Sequence, residues 1–430
     1  MTTKTEGIVR IGNLNVHLIP SKKYKTVTME LFFRGILDRE TITGRVLLPH
    51  VMRKGTADFP DETKIREKLD DLYGASFQIG SWKNGPYHMM NFHIDCPNEM
   101  FVPGGAGLAE DTLRFLSGAV FRPLAGGDGF DEEIVSREKE AVRGQIRAML
   151  DDKMSYANQR LTDIMCEGEP CAVRGQGYEE DLPEIDGQTL YDTYRRMLKE
   201  DRRDLFIVGD FEPDAMEETV RDVFGDGEAE ITPDSQLELT AKKEIGEERL
   251  IVEREDVQQA KLHIGYRTGT VYQDDDFPAM MVYAMILGGY AGSKLFANVR
   301  EKHSLAYYVS AAPELFGDKL FVYSGIAPED FQQTADIVDE QFRAMEAGDF
   351  TDEELELAKT IIISNHRQSL DSAVGMIDLR YRQVLGGDGR TPEEMVEEIG
   401  RTGRDAVIRA ARKVRKDTTF LLTAKEGSAE

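Results

Sequence analysis

Residues 295–311 read LFANVREKHSLAYYVSA, and residues 64–80 read KIREKLDDLYGASFQIG. Both pass from a charged helical pattern into an alternating strand pattern, and both contain Arg-Glu-Lys. One offset relates the two segments. Gly35 and Gly269, Arg66 and Arg300, and Tyr73 and Tyr307 are each separated by 234 residues. A fixed period linking a strand-end glycine, a tripeptide and a tyrosine is the mark of an internal duplication.

The surrounding patterns repeat as well. TVTMELFFRG at 26–35 alternates as a strand, and GRVLLPHVMRKG at 44–55 reads as a helix. Their counterparts are QAKLHIGYRTG at 259–269 and FPAMMVYAMILGG at 277–289. Each half continues through long helical patterns. A long helical pattern runs over 131–167 in the first half. Helices near 328–346, 352–371 and 392–414 are expected in the second. DLFIVGDF and TTFLLTA read as closing strands. Strands that open and close each half, with helices between, predict an α+β fold. It consists of two homologous sandwich domains, each a mostly antiparallel sheet covered by helices. The polar, acidic stretch around 225–249 separates them. The expected organisation is a first domain over 1–228, a linker over 229–248 with a possible short strand at Leu-Glu-Leu, and a second domain over 249–430.

Charge and composition narrow the function classes. The net charge of −26 argues against a nucleic-acid partner, because phosphates would be repelled. The longest apolar run is too short to span a bilayer, so no membrane partner is expected. The start of the sequence lacks the apolar run of a secretory signal. Three cysteines, Cys96, Cys166 and Cys171, make no disulfide framework, and a reducing cytoplasm is the expected compartment. His88 and His93 lie an odd number of positions apart on one strand, so they face opposite sides and share no metal. The remaining histidines, His17, His263, His303 and His366, show no ligand spacing, and no nucleophile elbow is present.

The two-fold layout and the 295–311 segment resemble the pitrilysin/insulinase family of inverted zinc metallopeptidases. Within it the chain is most similar to half-length bacterial members, including those associated with elongation factor P modification, and to the paired subunits of mitochondrial processing peptidases. The resemblance implies a His-x-x-Glu-His helix in the first half, with two histidines one turn apart on zinc and a glutamate as general base. Placing Lys54-Gly55-Thr56 as the turn after that motif puts Val46 at the first histidine, Pro49 at the general base and His50 at the second histidine. Gln145 best matches the third ligand, with Glu138 and Glu140 as alternatives. Valine cannot ligate and proline cannot accept a proton. Even with a glutamate, two ligands are present where a catalytic zinc uses three. No metal is therefore expected in this chain.

The resemblance also implies that Arg300 and Tyr307 stabilise the tetrahedral intermediate, as oxyanion donors do. The glycines of ILGGYAGSKLF, Gly288, Gly289 and Gly292, would let a peptide backbone approach. The function implied is a non-catalytic, substrate-binding subunit of a heterodimeric zinc peptidase. A homologous catalytic subunit would hold the zinc and the intact motif, and a peptide would be the substrate. The alternative is a catalytically inert peptide-binding or scaffold protein without a peptidase partner.

Overall fold

The computed structural model describes residues 7–127, 129–225, 246–387 and 389–425. The expected linker at 229–248, with its Leu-Glu-Leu strand, lies outside the described residues up to 245. The chain forms two compact units. The first comprises Met1–Arg147, Val173–Leu237 and Ser372–Ile377, and the second comprises Ala148–Ala172, Glu238–Asp371 and Asp378–Glu430.

In the first unit the strands are β1 (Gly7–Ile11), β2 (Leu14–Pro20), β3 (Thr26–Ile36), β4 (Ser76–Asn84), β5 (Tyr87–Pro97), the two-residue β6 (Ala125–Gly126) and β7 (Gly129–Phe130), and β8 (Arg202–Gly209). The second unit contains β9 (Arg249–Glu255), β10 (Ala260–Arg267), β11 (Ala306–Pro313), β12 (Lys319–Ile326) and β13 (Arg415–Ala424). The sheet orders are β1-β2-β8-β3-β5-β4 and β11-β12-β10-β13-β9. Reading the second in reverse superposes β9, β13, β10, β12 and β11 on β2, β8, β3, β5 and β4. The pairing senses agree too. The β2–β8 and β9–β13 pairs are parallel, and every other pair in these five-strand sets is antiparallel. The duplication read from the sequence is thus a duplication of topology.

Burial follows position in the sheet. Central β3 is buried on both faces over most of its length, whereas edge β4 is half exposed throughout. The helices are α1 (Ile42–Met52), α2 (Glu62–Asp71), α3 (Leu108–Phe121), α4 (Glu132–Asp151), α5 (Lys153–Met165), α6 (Gly187–Glu200), α7 (Pro213–Phe224), α8 (Phe277–Ala284), α9 (Phe331–Ala347), α10 (Asp352–Ser369), α11 (Ala373–Gly386), α12 (Pro392–Arg401) and α13 (Arg404–Ala411). Side chains start several of them. Asp61 accepts from Lys64 N at 2.8 Å, and Thr351 with Glu354 forms a capping box at α10.

Two of the helical patterns divide. That over 131–167 forms two helices, α4 and α5. Asp152 between them is extended (φ −72°, ψ 107°), and its carboxylate accepts from Ser155 N at 2.9 Å. A capping aspartate here starts a new helix rather than continuing the old one. Ala157, Leu161 and Met165 of α5, at four-residue spacing, pack on Phe321, Phe420 and Leu422 of the second sheet. The pattern over 392–414 likewise divides, into α12 and α13, because Thr402 and Gly403 are extended.

Each unit buries an arginine on carboxylates at the end of its sheet. In the first unit Arg45 of α1 donates to both carboxylate oxygens of Asp201, at 3.0 and 2.5 Å, and its Nε donates to His88 Nδ1 at 3.0 Å. Gly35 makes room for this cluster, because a Cβ there would lie 2.7 Å from Asp201 Oδ1. In the second unit Arg267, 2 % exposed, bonds to Asp318, Asp417, Glu169 and the Met165 carbonyl.

His88 has a consequence for stability. Its burial, and then the charge of Arg45, hold its pKa well below the ordinary imidazole value. Below about pH 6.5 the unfolded chain takes up a proton that the folded chain refuses. Stability therefore falls as pH drops through that range, by up to ~1.4 kcal/mol per pH unit from this residue. The urea midpoint of the wild type is expected to fall more steeply with acidification than that of His88→Gln. Parallel curves would show that His88 carries none of the slope.

Candidate functional site

Helix α1 runs through Val46, Pro49 and His50, and Pro49 lies inside it near its end. Val46 and Pro49 are buried in the core of the first unit. His50 Nδ1 lies 3.9 Å from Oε2 of Glu138 on α4. Glu138 is 3 % exposed, and three cations surround it: Arg137 Nε at 3.1 Å, Arg53 Nη2 at 3.4 Å and Lys54 Nζ at 3.5 Å. Burial works to raise the Glu138 pKa, but these cations outweigh it and the group is held below its usual value. Burial, then the charge of Arg53, lowers the His50 pKa, against the pull of Glu138.

Of the three acid-side candidates on α4, the fold brings Glu138 to His50. Glu140 is exposed and pairs with Arg143. Gln145 is exposed, two helical turns further along. The donor set does not fit zinc. His50 and Glu138 are two ligands, Val46 presents only methyl groups, and Arg53 Nη2 stands 3.4 Å from His50 Nδ1. Among the described residues there is no group of three or more His, Cys, Asp and Glu placed to hold a metal ion. Where a zinc ion would balance a buried carboxylate, protein cations do so here. Metal analysis of the purified chain is expected to find well under one equivalent of zinc, and a tight stoichiometric site would overturn this reading.

Beside this cluster lies a groove of about 480 Å3 between α2 and edge strand β4. Ile65, Leu69, Phe77 and Ile79 supply its apolar wall, with Arg53 and Arg66 at its polar side. Lys54 and Arg53 could be seen in the sequence as part of a turn, but their role around Glu138 could not, because α4 is eighty residues further on.

In the second unit Arg300 and Tyr307 lie on different kinds of backbone. Arg300 is exposed on a π-helical turn (Phe296–Lys302), its guanidinium 5.0 Å from the Phe296 ring centre. Tyr307 is on edge strand β11, where Ala306 pairs with Ile326 and Tyr308 with Gly325. Tyr307 is therefore the extra residue of a β-bulge, and it is 70 % exposed. Tyr73 differs in kind. It follows α2 in the left-handed region (φ 58°), and its hydroxyl donates to the Pro103 carbonyl at 3.0 Å. The residue in the matching position after the π-helical turn is Ser304 (φ 54°). The shared offset of the two tyrosines thus breaks past the helix, and Tyr307 is not a structural copy of Tyr73.

The glycines divide similarly. Gly288 is buried, and a Cβ there would lie 2.5 Å from the Ala311 nitrogen, so it lets the turn Met285–Gly289 press on β11. Gly289 is exposed. Gly292 is exposed with φ 113°, a conformation that other residues adopt only with strain. The expected thiols are all free and buried, and His93 pairs with Glu30 at 2.9 Å, apart from His88.

Residues 184–362 match the family model described as the peptidase M16 inactive domain. Over 418 residues the chain is 35 % identical to the "Probable inactive metalloprotease YmfF" of Bacillus subtilis (strain 168), covering 97 % of each chain. The chain belongs to the M16 peptidase family. This M16 chain is also similar to a conserved protein from Enterococcus faecalis V583. That crystal structure is 28 % identical, with a TM-score of 0.89 over 98 % of this chain and 99 % of that one. A peptidase M16 inactive domain from Pseudomonas fluorescens shares the fold, with a TM-score of 0.78 at 16 % identity over 98 % of each chain. The present member lacks the family's hydrolytic set, as the surroundings of His50 show. No helix among its described residues is long and apolar enough to cross a membrane.

Proposed function

We propose that this M16 chain is the non-catalytic, substrate-binding subunit of a heterodimeric zinc peptidase. A homologous partner with an intact inverted zinc motif supplies metal, general base and third ligand. This chain supplies Arg300 and Tyr307 to that site. The observation that carries the proposal is Tyr307. A tyrosine 70 % exposed at a bulge on a sheet edge contributes little to its own fold, and bulges commonly re-aim a side chain towards a ligand. The groove along edge strand β4 supports the binding role, since an extended peptide can add to such an edge through main-chain hydrogen bonds. The net charge of −26 favours neutral or basic peptides.

The test is reconstitution. The two chains, purified separately and mixed at micromolar concentration, are expected to associate and cleave a peptide that neither cleaves alone. Absence of association would overturn the proposal in favour of an inert peptide-binding protein without a peptidase partner.

A further inference from the structure

The second unit holds a cavity of about 580 Å3 where the C-terminal half of α9, the end of α13 and the start of β13 meet. Arg343, Arg412, Arg415 and Lys416 line it, against the carboxylates of Asp339 and Glu346. In a chain of net charge −26 this is a local reversal of sign.

The cations are not equally committed. Lys416 is neutralised by Asp339 at 3.1 Å and Glu248 at 3.0 Å. Arg415 donates to its neighbour's carbonyl, Val414 O, at 2.8 Å, and its closest carboxylate is Glu346 at 3.9 Å. Arg412 makes one bond, from Nε to the Glu346 carbonyl at 3.3 Å. No hydrogen bond or ion pair joins Arg343 to any described residue.

Tyr266 lines the same cavity. It is 2 % exposed and stacks on Phe342, with ring centres 4.0 Å apart and planes 12° from parallel. Its hydroxyl is buried with no hydrogen-bond partner among the described residues. A buried, unsatisfied hydroxyl is costly and signals a missing partner. Burial, and then the nearby charge of Asp339, keep this phenol protonated, so it offers a proton to an acceptor.

We infer that this cavity binds a small phosphate-bearing molecule, held by Arg343 and Arg412 with the Tyr266 hydroxyl donating to one of its oxygens. The chemistry selects the ligand class. Guanidinium groups match phosphate oxygens two at a time, and Arg343, Arg412 and Arg415 outnumber the one loosely paired carboxylate of the cavity, Glu346, which lies 3.9 Å from Arg415. The cavity opens to solvent, and Arg343 and Arg412 are exposed at it, so a soluble anion can reach both. This inference does not depend on the roles of Arg300 and Tyr307.

The experiment is calorimetric titration of the full chain with inorganic pyrophosphate at low ionic strength. One equivalent is expected to bind, more weakly as salt is added. Arg343→Ala and Arg412→Ala should each weaken binding about tenfold or more. Tyr266→Phe should weaken it several-fold without changing the circular dichroism. Arg401→Ala, an exposed arginine paired with Glu397 on α12, should have no effect. Three results would each overturn the inference: no binding at millimolar pyrophosphate, unchanged binding in an Arg343→Ala/Arg412→Ala double variant, or binding to phosphatidylglycerol vesicles without binding of the soluble anion.

Discussion

Replacing Tyr307 with phenylalanine, or Arg300 with alanine, is expected to lower turnover by the reconstituted pair about 100-fold. Metal-assisted peptide hydrolysis places negative charge on the former carbonyl oxygen. A phenol or guanidinium held over that oxygen strengthens its bond as the charge develops, so the loss should fall on kcat rather than on KM. The positions make the experiment clean. Tyr307 is 70 % exposed, and Arg300 is exposed over Phe296, so neither substitution removes core packing. Association and melting temperature should be unchanged. Tyr73→Phe is the control, because that hydroxyl serves the Pro103 carbonyl within the first unit. Equal losses at Tyr73 and Tyr307 would assign both tyrosines to the fold and end the catalytic reading of the second.

The largest expected effect on stability is at Arg267. Its guanidinium is 2 % exposed and answers Asp318, Asp417 and Glu169 at once. Arg267→Met retains most of the side-chain volume but leaves Asp318 buried beside an apolar group and Asp417 with Arg249 as its remaining cation, at 3.1 Å. Removing one member of a buried ion network typically costs ~3–5 kcal/mol, chiefly through the stranded charges. Urea unfolding of the variant should show that loss. Adding Asp318→Leu should recover part of it, since one stranded carboxylate is then gone. A loss below about 1 kcal/mol for the single variant would mean that solvent reaches the carboxylates and the network is not sealed. Glu169 ties the loop after α5 into this network, so the same variant tests how firmly that loop is held.

Periodicity made much of this architecture readable. The strand patterns at 26–35 and 259–269 belong to β3 and β10, the central strands of the two sheets, and the 234-residue offset reports a repeated strand order. It failed where local choices compete. The apolar spacing of 131–167 continues smoothly through Asp152, so pattern alone cannot tell a helix from two helices. Capping by one aspartate decides it. The offset also misled at Tyr73 and Tyr307, because the second copy passes through a π-helical turn that changes the residue count before its strand.

For the degenerate site, residue identity was sufficient to exclude the family's inverted zinc motif. Valine offers no donor atom at the first-histidine position and proline no basic group at the general-base position, whatever surrounds them. The replacement arrangement could not be read in the same way. Arg53 and Lys54 reach Glu138 only because the fold brings the end of α1 to α4, and Tyr266 shares a cavity with Arg343 and Arg412 only because β10, α9 and the end of α13 come together there. Covalent chemistry belongs to a residue type and survives in a linear sequence. Electrostatic balance depends on distances between segments far apart in the chain, and those distances exist only after folding.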